Sequence, residues 1–365
     1  MRIAQIAPLA ESCPPRLYGG TERIVSFLTE ELVAQGHDVT LFASGDTRTT
    51  AHLVPCSRQA LRLDPAVRDH LPYHVAMLEE VRRRTDDFDV LHFHIDFLHF
   101  PMSRDFVSRT ITTLHGRLDL PDIHPLFETF ADVPLCSISH AQRAPMPACV
   151  NWVGNIHHGL PRGLLPFSAV PRGDYLVFIG RISPEKRPDR AIEIATRVGM
   201  PLIMAAKVDR VDQAYWEQVI SPMVRASRHV EYIGEVDDQR KAELIGNAKA
   251  LLFPIDWPEP FGLVMIEAMA CGTPVVAFRC GSVPEVLSDG VSGVIIDSMD
   301  DAEAGVQAAL TLDRSAVRLE FEARFTAERM AANYVQLYHQ LAGLRSEAAH
   351  AHRANDAGLG LHVVA

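Results

Sequence analysis

The sequence contains no apolar run approaching the ~20 residues that a membrane-spanning helix requires. Its six cysteines stand at positions 13, 56, 136, 149, 271 and 280, and no two form a C-x-x-C pair. Most lie in apolar stretches, where buried thiols sit, so a reducing compartment is expected and a disulfide framework is not. An excess of positive charge is missing too: 35 Lys and Arg face 46 Asp and Glu, a net charge of −11. That balance gives no global support to a nucleic-acid partner or to general attraction for anionic membranes. The local exception is "RRRT", Arg82 to Arg84, which would allow weak peripheral membrane docking but reads first as a solvated helix face. The opening "MRIAQIAP" has the pattern of a strand rather than a leader, so a cytoplasmic protein is expected. No oligomeric state follows from these features.

What is present is ordinary globular material: 365 residues, 47% hydrophobic and 22% charged, enough for two or three domains. Short β-rich runs recur in the first half, among them "RIAQIAP", "DVTLFAS", "DVLHFHI", "RTITTLHG", "PLCSISH" and "NWVGNIHH". Helical periodicity lies between several of them. In "TERIVSFLTEELVAQG", Ile24, Phe27, Leu28, Leu32 and Val33 follow three-and-four spacing, and Gly36 closes the helix. Residues 159–173, "GLPRGLLPFSAVPRG", break the pattern with prolines and glycines and read as an interdomain linker. The alternation then restarts with "DYLVFIG", "PLIMAAK", "HVEYIGE", "KALLFPI", "PVVAF" and "SGVIID". The expected fold class is therefore α/β: two doubly wound parallel-sheet domains, 1–160 and 161–329, facing each other across a cleft. A helical stretch follows, of which about 330–345 is expected to pack back onto the first domain. The segment 346–365, rich in small residues, reads as a flexible tail.

Within the second half, "DWPEPFGLVMIEAMACG" places Glu259 and Glu267 eight positions apart. On one continuous helix they would stand ~80° and ~12 Å apart, unable to share a small site. Pro258 and Pro260 disfavour helix for the residues before them, so the helix starts only near Gly262 and stops at Gly272. Glu259 then lies on the loop entering the helix and Glu267 near its second turn. The free amides of Phe261, Gly262, Leu263 and Val264, with the positive end of the dipole, suit a diphosphate. Glu267 is placed to bind neutral hydroxyls such as those of a ribose, and Glu259 faces whatever lies beyond the phosphates. The plainer reading leaves both glutamates in water, but Glu267 sits where burial is expected and an unpaired charge is costly.

A second loop agrees. "GRISPEKRPDRAIEIA" sets Arg181 and Lys186 between a strand and a helix, where two cations would neutralise a leaving diphosphate. The competing role is a salt bridge to Glu185. Among the histidines, His92 and His94 share one face of a strand, His115 ends the next, and His157 and His158 end another. No further ligands follow at zinc spacing, so no metal is expected. Satisfied strand-end imidazoles are the first reading, and His115 is the candidate for substrate contact.

These motifs give the chain a resemblance to glycosyltransferase family 4, the retaining, sugar-nucleotide-dependent enzymes of GT-B fold. It covers nearly the full length and is tightest over Arg181–Lys186 and 248–293, which includes "PEPFGLVMIEAMACGTPVVAFRCGSVPEVLSDGVSG". "YGGTERIVSFLTEELVAQGHDVTLFAS" resembles the family's amino-terminal segment. The resemblance implies an acceptor-side first domain, a donor-binding second domain and a hexosyltransferase that moves sugar from a UDP- or GDP-sugar to a hydroxyl acceptor. It implies no cofactor and no metal. Arg181 and Lys186 would bind the diphosphate, Glu259 the sugar hydroxyls, and the amides of Phe261, Gly262, Leu263 and Val264 sugar and phosphate. Glu267 would hold the ribose, Gly19 and Gly20 would form a flexible loop approaching the phosphates, and His115 would face the donor sugar. The chain departs from the family pattern at "IHHGLPRG", where many members have asparagine-glycine. It also has Arg187, where a glycine often follows the lysine. A sugar-nucleotide epimerase or phosphorylase of the same fold, or a non-catalytic sugar-nucleotide-binding protein, are the alternatives.

Overall fold

In the computed structural model, residues 1–16 and 19–359 are described, with side chains to residue 343. Two parallel sheets account for the strands. The first holds β1 (Arg2–Ile6), β2 (Asp38–Ser44), β3 (His52–Ser57), β4 (Val90–Phe93), β5 (Thr110–Thr113), β6 (Leu135–Ser137) and β7 (Trp152–Asn155) in the order 3-2-1-4-5-6-7. The second holds β8 (Leu176–Arg181), β9 (Leu202–Lys207), β10 (Val230–Gly234), β11 (Ala250–Phe253), β12 (Val275–Phe278) and β13 (Gly293–Ile296) in the order 10-9-8-11-12-13. Each order reverses once, between β1 and β4 and between β8 and β11. Such a switch point opens a crevice at the carboxyl ends of the strands.

The central strands β4, β5, β11 and β12 are buried along their whole length, as parallel strands covered on both faces must be. β3 is the strand absent from the sequence reading. "HLVPCS" carries Pro55 and only partial burial, a combination that belongs at a sheet edge, where β3 lies.

Seven helices bear on the site or on the sequence reading: α1 (Gly20–Ala34), α2 (Leu71–Arg83), α3 (Pro188–Val198), α4 (Asp238–Asn247), α5 (Leu263–Cys271), α6 (Arg314–Arg324) and α7 (Ala327–Leu359). α7 returns to the first sheet: Tyr334 and Tyr338 are fully buried there and bond to Thr113, Gln5 and His92. As backbone, α7 continues to Leu359 through most of the segment read as a tail, and 360–365 lie outside the described residues.

The chain crosses between domains twice, side by side. Leu160 donates its amide to Phe325 O at 2.9 Å and accepts from Ala327 N at 2.9 Å. The crossings are so close that a Cβ at Gly159 would fall 2.3 Å from Thr326 O, so only glycine fits. Leu160 and Leu165 of the linker are buried in a core shared by both domains. At the end of α2, Arg82 and Arg83 both pair with Glu79 and Arg84 reaches Asp87 at 3.5 Å, so the basic triple is largely compensated.

Candidate active site

A cleft of about 710 Å³ runs between the carboxyl edges of the two sheets, with walls from both domains. Its floor on the second domain is built by the glutamate stretch. Gly262 has φ 79° and ψ 67°, a left-handed conformation that glycine adopts without penalty, and it turns the chain into α5. A Cβ there would also meet Met265 Cε at 2.8 Å and Phe253 Cζ at 3.1 Å. α5 then runs Leu263–Cys271 and ends on left-handed Gly272, the bounds that the proline and glycine positions dictate.

Glu259 and Glu267 both line this cleft and both are buried, at 8% and 5% exposure. Neither is alone. Glu259 Oε2 accepts from Lys186 Nζ and from Trp257 Nε1, the latter at 3.1 Å. The Lys186 ammonium also stands 4.8 Å from the Trp257 ring centroid, a cation–π contact. Glu267 accepts from Lys241 of α4 at 2.5 Å. Lys241 also reaches Asp238 at 3.2 Å, and Asp238 takes Arg23 of α1 from the other domain. A ladder of alternating charge thus joins the first domain to Glu267. Burial pushes Asp238 up, but Lys241 and Arg23 outweigh it and hold the carboxyl below the usual range. A second carboxylate also crosses the junction: Glu285 accepts from the amides of His140 and Ala141, at 2.7 and 2.5 Å.

Arg181, at the end of β8, is held by Glu185 and lies 3.7 Å from Asp209 and 3.6 Å from Asp212. The salt bridge and the place in the cleft wall therefore coexist. Arg187, in place of the family's glycine, is left-handed at φ 51° and ψ 52°. Its guanidinium is anchored by Asp189 and Asp256, which raise its pKa above the ordinary value with the Asp189 hydrogen bond foremost.

On the first domain, Gly19 caps α1 and Gly20 is its first residue, with Arg23 N bonded to Gly19 O at 3.2 Å. Gly19 precedes the helix as its cap and Gly20 begins its first turn, since the Gly19 carbonyl already takes the first helical bond. A Cβ at Gly19 would fall 2.8 Å from Pro15 Cβ; one at Gly20 would stand 3.6 Å from Leu263 Cδ1. The starts of α1 and α5 therefore face each other across the cleft.

His115 also forms cleft wall, stacked on His158 with 5.2 Å between ring centroids. His92 and His94 lie behind it, with hydrogen bonds at all four ring nitrogens. Every neutral lone pair there is used, which leaves none for a metal. Phe261 is buried: its side chain packs at 4.9 Å from His158 and 6.1 Å from Phe325, so its backbone is the part available to a ligand.

The sequence reading missed Glu22, Arg62, Lys207, Asp238, Lys241 and Trp257, all in the cleft wall. Trp257 had a signal, as an aromatic beside the first proline of the stretch. Glu22 lies in the first turn of α1, buried, with its pKa raised by that burial. The others are polar residues on helices or at strand ends, with no local pattern.

Two family models match the chain: "Glycosyltransferase Family 4" over residues 18–144 and "Glycosyl transferases group 1" over 168–325. The phosphatidyl-myo-inositol mannosyltransferase of Mycobacterium leprae is 27% identical over 323 residues, 83% of this chain and 85% of that one. The crystal structure of AviGT4, a glycosyltransferase involved in avilamycin A biosynthesis, superposes with a TM-score of 0.71 at 24% identity, covering 94% of this chain and 98% of that one. HepE of Anabaena, solved in complex with UDP and glucose, gives 0.67 at 19% identity, covering 95% and 100%. The chain belongs to glycosyltransferase family 4, and its fold is GT-B.

Proposed function

We propose that this family 4 glycosyltransferase moves a hexose from a UDP- or GDP-sugar to a hydroxyl of a glycan, lipid or small molecule, with retention at the anomeric carbon. The observation that carries the reading is the meeting of Lys186, Glu259 and the start of α5 at one end of the cleft, opposite the start of α1. The two cations are paired with carboxylates, Arg181 with Glu185 and Lys186 with Glu259. The donor exchanges these partners. Its diphosphate takes the ammonium, the guanidinium and the amides of Phe261, Gly262, Leu263 and Val264. Its sugar hydroxyls take the freed Glu259 and His115, and its ribose takes Glu267.

On this reading the transfer is a front-face substitution. The bond from C1 to the β-phosphate oxygen breaks as the acceptor oxygen bonds to C1 from the same face. The acceptor proton passes to the departing phosphate oxygen. Preorganised cations in a water-poor cleft stabilise the developing charge by about 3–4 kcal/mol for each essential donor. No metal and no resident cofactor enter this scheme; the nucleotide sugar is a co-substrate. We further propose that it works in the cytoplasm, where sugar nucleotides are made. No helix among the described residues is long and apolar enough to cross a membrane.

The test is a thermal-shift and hydrolysis screen with UDP-, GDP- and ADP-sugars, followed by proton NMR of the anomeric centre in the product. Stabilisation by a UDP- or GDP-sugar and a retained anomeric configuration are expected. An inverted product, or an epimerised donor formed with no acceptor, would displace the reading.

A further inference from the structure

Behind His115 lies a continuous chain of buried hydrogen bonds with a single sense. Gln5, on β1, donates its amide nitrogen to Tyr338 OH at 3.2 Å, and its oxygen lies 2.7 Å from His94 Nε2. An amide oxygen only accepts, so the proton of His94 is on Nε2. His94 is pushed well below the ordinary histidine range by burial, with His92 adding to the effect, and is neutral. Its Nδ1 is therefore an acceptor. That nitrogen is 2.9 Å from His115 Nε2, which must be the donor. Burial also pushes His115 down to about 3, so its ring carries one proton and Nδ1 is left with a lone pair. Nδ1 of His115 is buried and has no hydrogen-bond partner among the described residues, while the ring forms part of the cleft wall.

The same sense holds on the other side of Gln5. Tyr338 OH, having accepted from Gln5, donates to His92 Nδ1 at 2.7 Å, and His92 Nε2 donates to Thr113 Oγ1 at 2.7 Å. Thr113 in turn meets Tyr334 OH at 2.9 Å. Reversing Gln5 would reverse every bond and leave a sheltered N–H without an acceptor at His115. Orphaned N–H groups are rarer than under-used acceptors.

We propose that Gln5 and His94 are positioning residues: they hold His115 as its Nε2–H tautomer, so that the sugar subsite offers a lone pair and selects a hydroxyl over a carboxylate. A hydroxyl has a proton to give to Nδ1. A carboxylate would set a second acceptor and a charge against that lone pair, which carries a desolvation cost. A neutral hexose is therefore accepted at this position and a uronic acid refused. This rests on the reading of the cleft as a nucleotide-sugar site; the tautomer itself does not.

The first measurement is a long-range proton–nitrogen NMR spectrum of the substrate-free protein carrying ¹⁵N-histidine, with His115 assigned by its loss in His115→Gln. His115 is expected with its proton on Nε2. In Gln5→Met the His115 signals become a mixture of tautomers. The second measurement compares UDP-glucose with UDP-glucuronate, or the GDP-mannose pair if that base is used. In Gln5→Met, kcat/KM for the neutral sugar falls about tenfold and discrimination against the uronate narrows, while the Kd for the free nucleoside diphosphate is unchanged. Gln5→Glu, which keeps an acceptor facing His94, restores the Nε2–H form. A wild-type His115 protonated on Nδ1, or a tautomer unmoved in Gln5→Met, overturns the proposal. If no sugar nucleotide binds, the functional reading fails, and the NMR spectrum still decides the tautomer.

Discussion

Lys186 and Glu259, 73 residues apart in sequence, are bonded to each other directly, Nζ on Oε2, with 19% and 11% of their side-chain surfaces exposed. Each supplies the partner that burial demands of the other. Removing one member leaves the other uncompensated. Lys186→Met is therefore expected to lower kcat by about 10²–10³-fold and to destabilise the fold by ~1–3 kcal/mol. The double variant Lys186→Met/Glu259→Gln should recover most of the stability and none of the turnover. Thermal unfolding beside steady-state kinetics separates the two effects. Activity surviving at the wild-type level in Lys186→Met, or in Glu259→Gln alone, would remove the pair from the mechanism.

Arg187 has the opposite character: it is strained where it stands. Its left-handed backbone costs a non-glycine residue ~1–2 kcal/mol, and its bonds to Asp189 and Asp256 compensate. In Arg187→Gly the strain and the anchors vanish together. Stability measured by urea unfolding is expected to stay within ~1 kcal/mol of wild type, because relief of the strain offsets loss of the anchors. The change should appear in KM for the donor, which rises several-fold as the loop carrying Lys186 loosens. An equal KM would mean that the anchors serve the fold alone.

Charge on the diphosphate is met in this scheme by side chains and helix amides, so divalent cations are not needed. Turnover in EDTA, after exhaustive removal of Mg²⁺ and Mn²⁺, is expected to remain within twofold of the untreated enzyme. A loss restored by Mg²⁺ would require a metal that the scheme omits.

The parts of this molecule legible in its sequence share one trait: their determinants are local. The strands of the second sheet read as apolar runs bounded by turns. The start of α5 reads from Pro258, Pro260 and Gly262, whose backbone restrictions act on their immediate neighbours. β3 was not legible, because an edge strand pairs on one side only and tolerates Pro55 and partial exposure. The partners of the site residues were not legible for another reason. Lys241 meets Glu267 across 26 residues and Arg23 meets Asp238 across 215, and a lysine or aspartate on a helix gives no sign of which distant charge it will face. The Gln5–His94–His115 chain is similar. "RIAQIAP", "HFHID" and "TTLHG" each read as strands, and only the parallel order β1-β4-β5 brings their side chains into one line.

The buried histidines also set how the protein responds to acid. Burial drives His99 and His115 down to about 3, and pushes His92, His94 and His158 well below the ordinary value. In the unfolded chain each regains a pKa near 6.5, so below that pH the unfolded state binds more protons than the folded one. Their depressed pKa values therefore leave stability intact above about pH 6.5, and it is lost progressively as pH falls from there toward the folded values. Each histidine contributes a slope of up to ~1.4 kcal/mol per pH unit. Urea unfolding at pH 7.5, 6 and 5 is expected to register the decline before the carboxylates, near 4, begin to titrate. His99 isolates one share of it, since it lies outside the cleft, stacked on Phe93 at 3.8 Å and bonded to Thr112 at 2.8 Å. His99→Gln should lower stability at pH 7.5 and flatten its dependence on pH by about one proton. Stability unchanged between pH 7.5 and 5 would mean that these imidazoles reach solvent and charge within the folded protein.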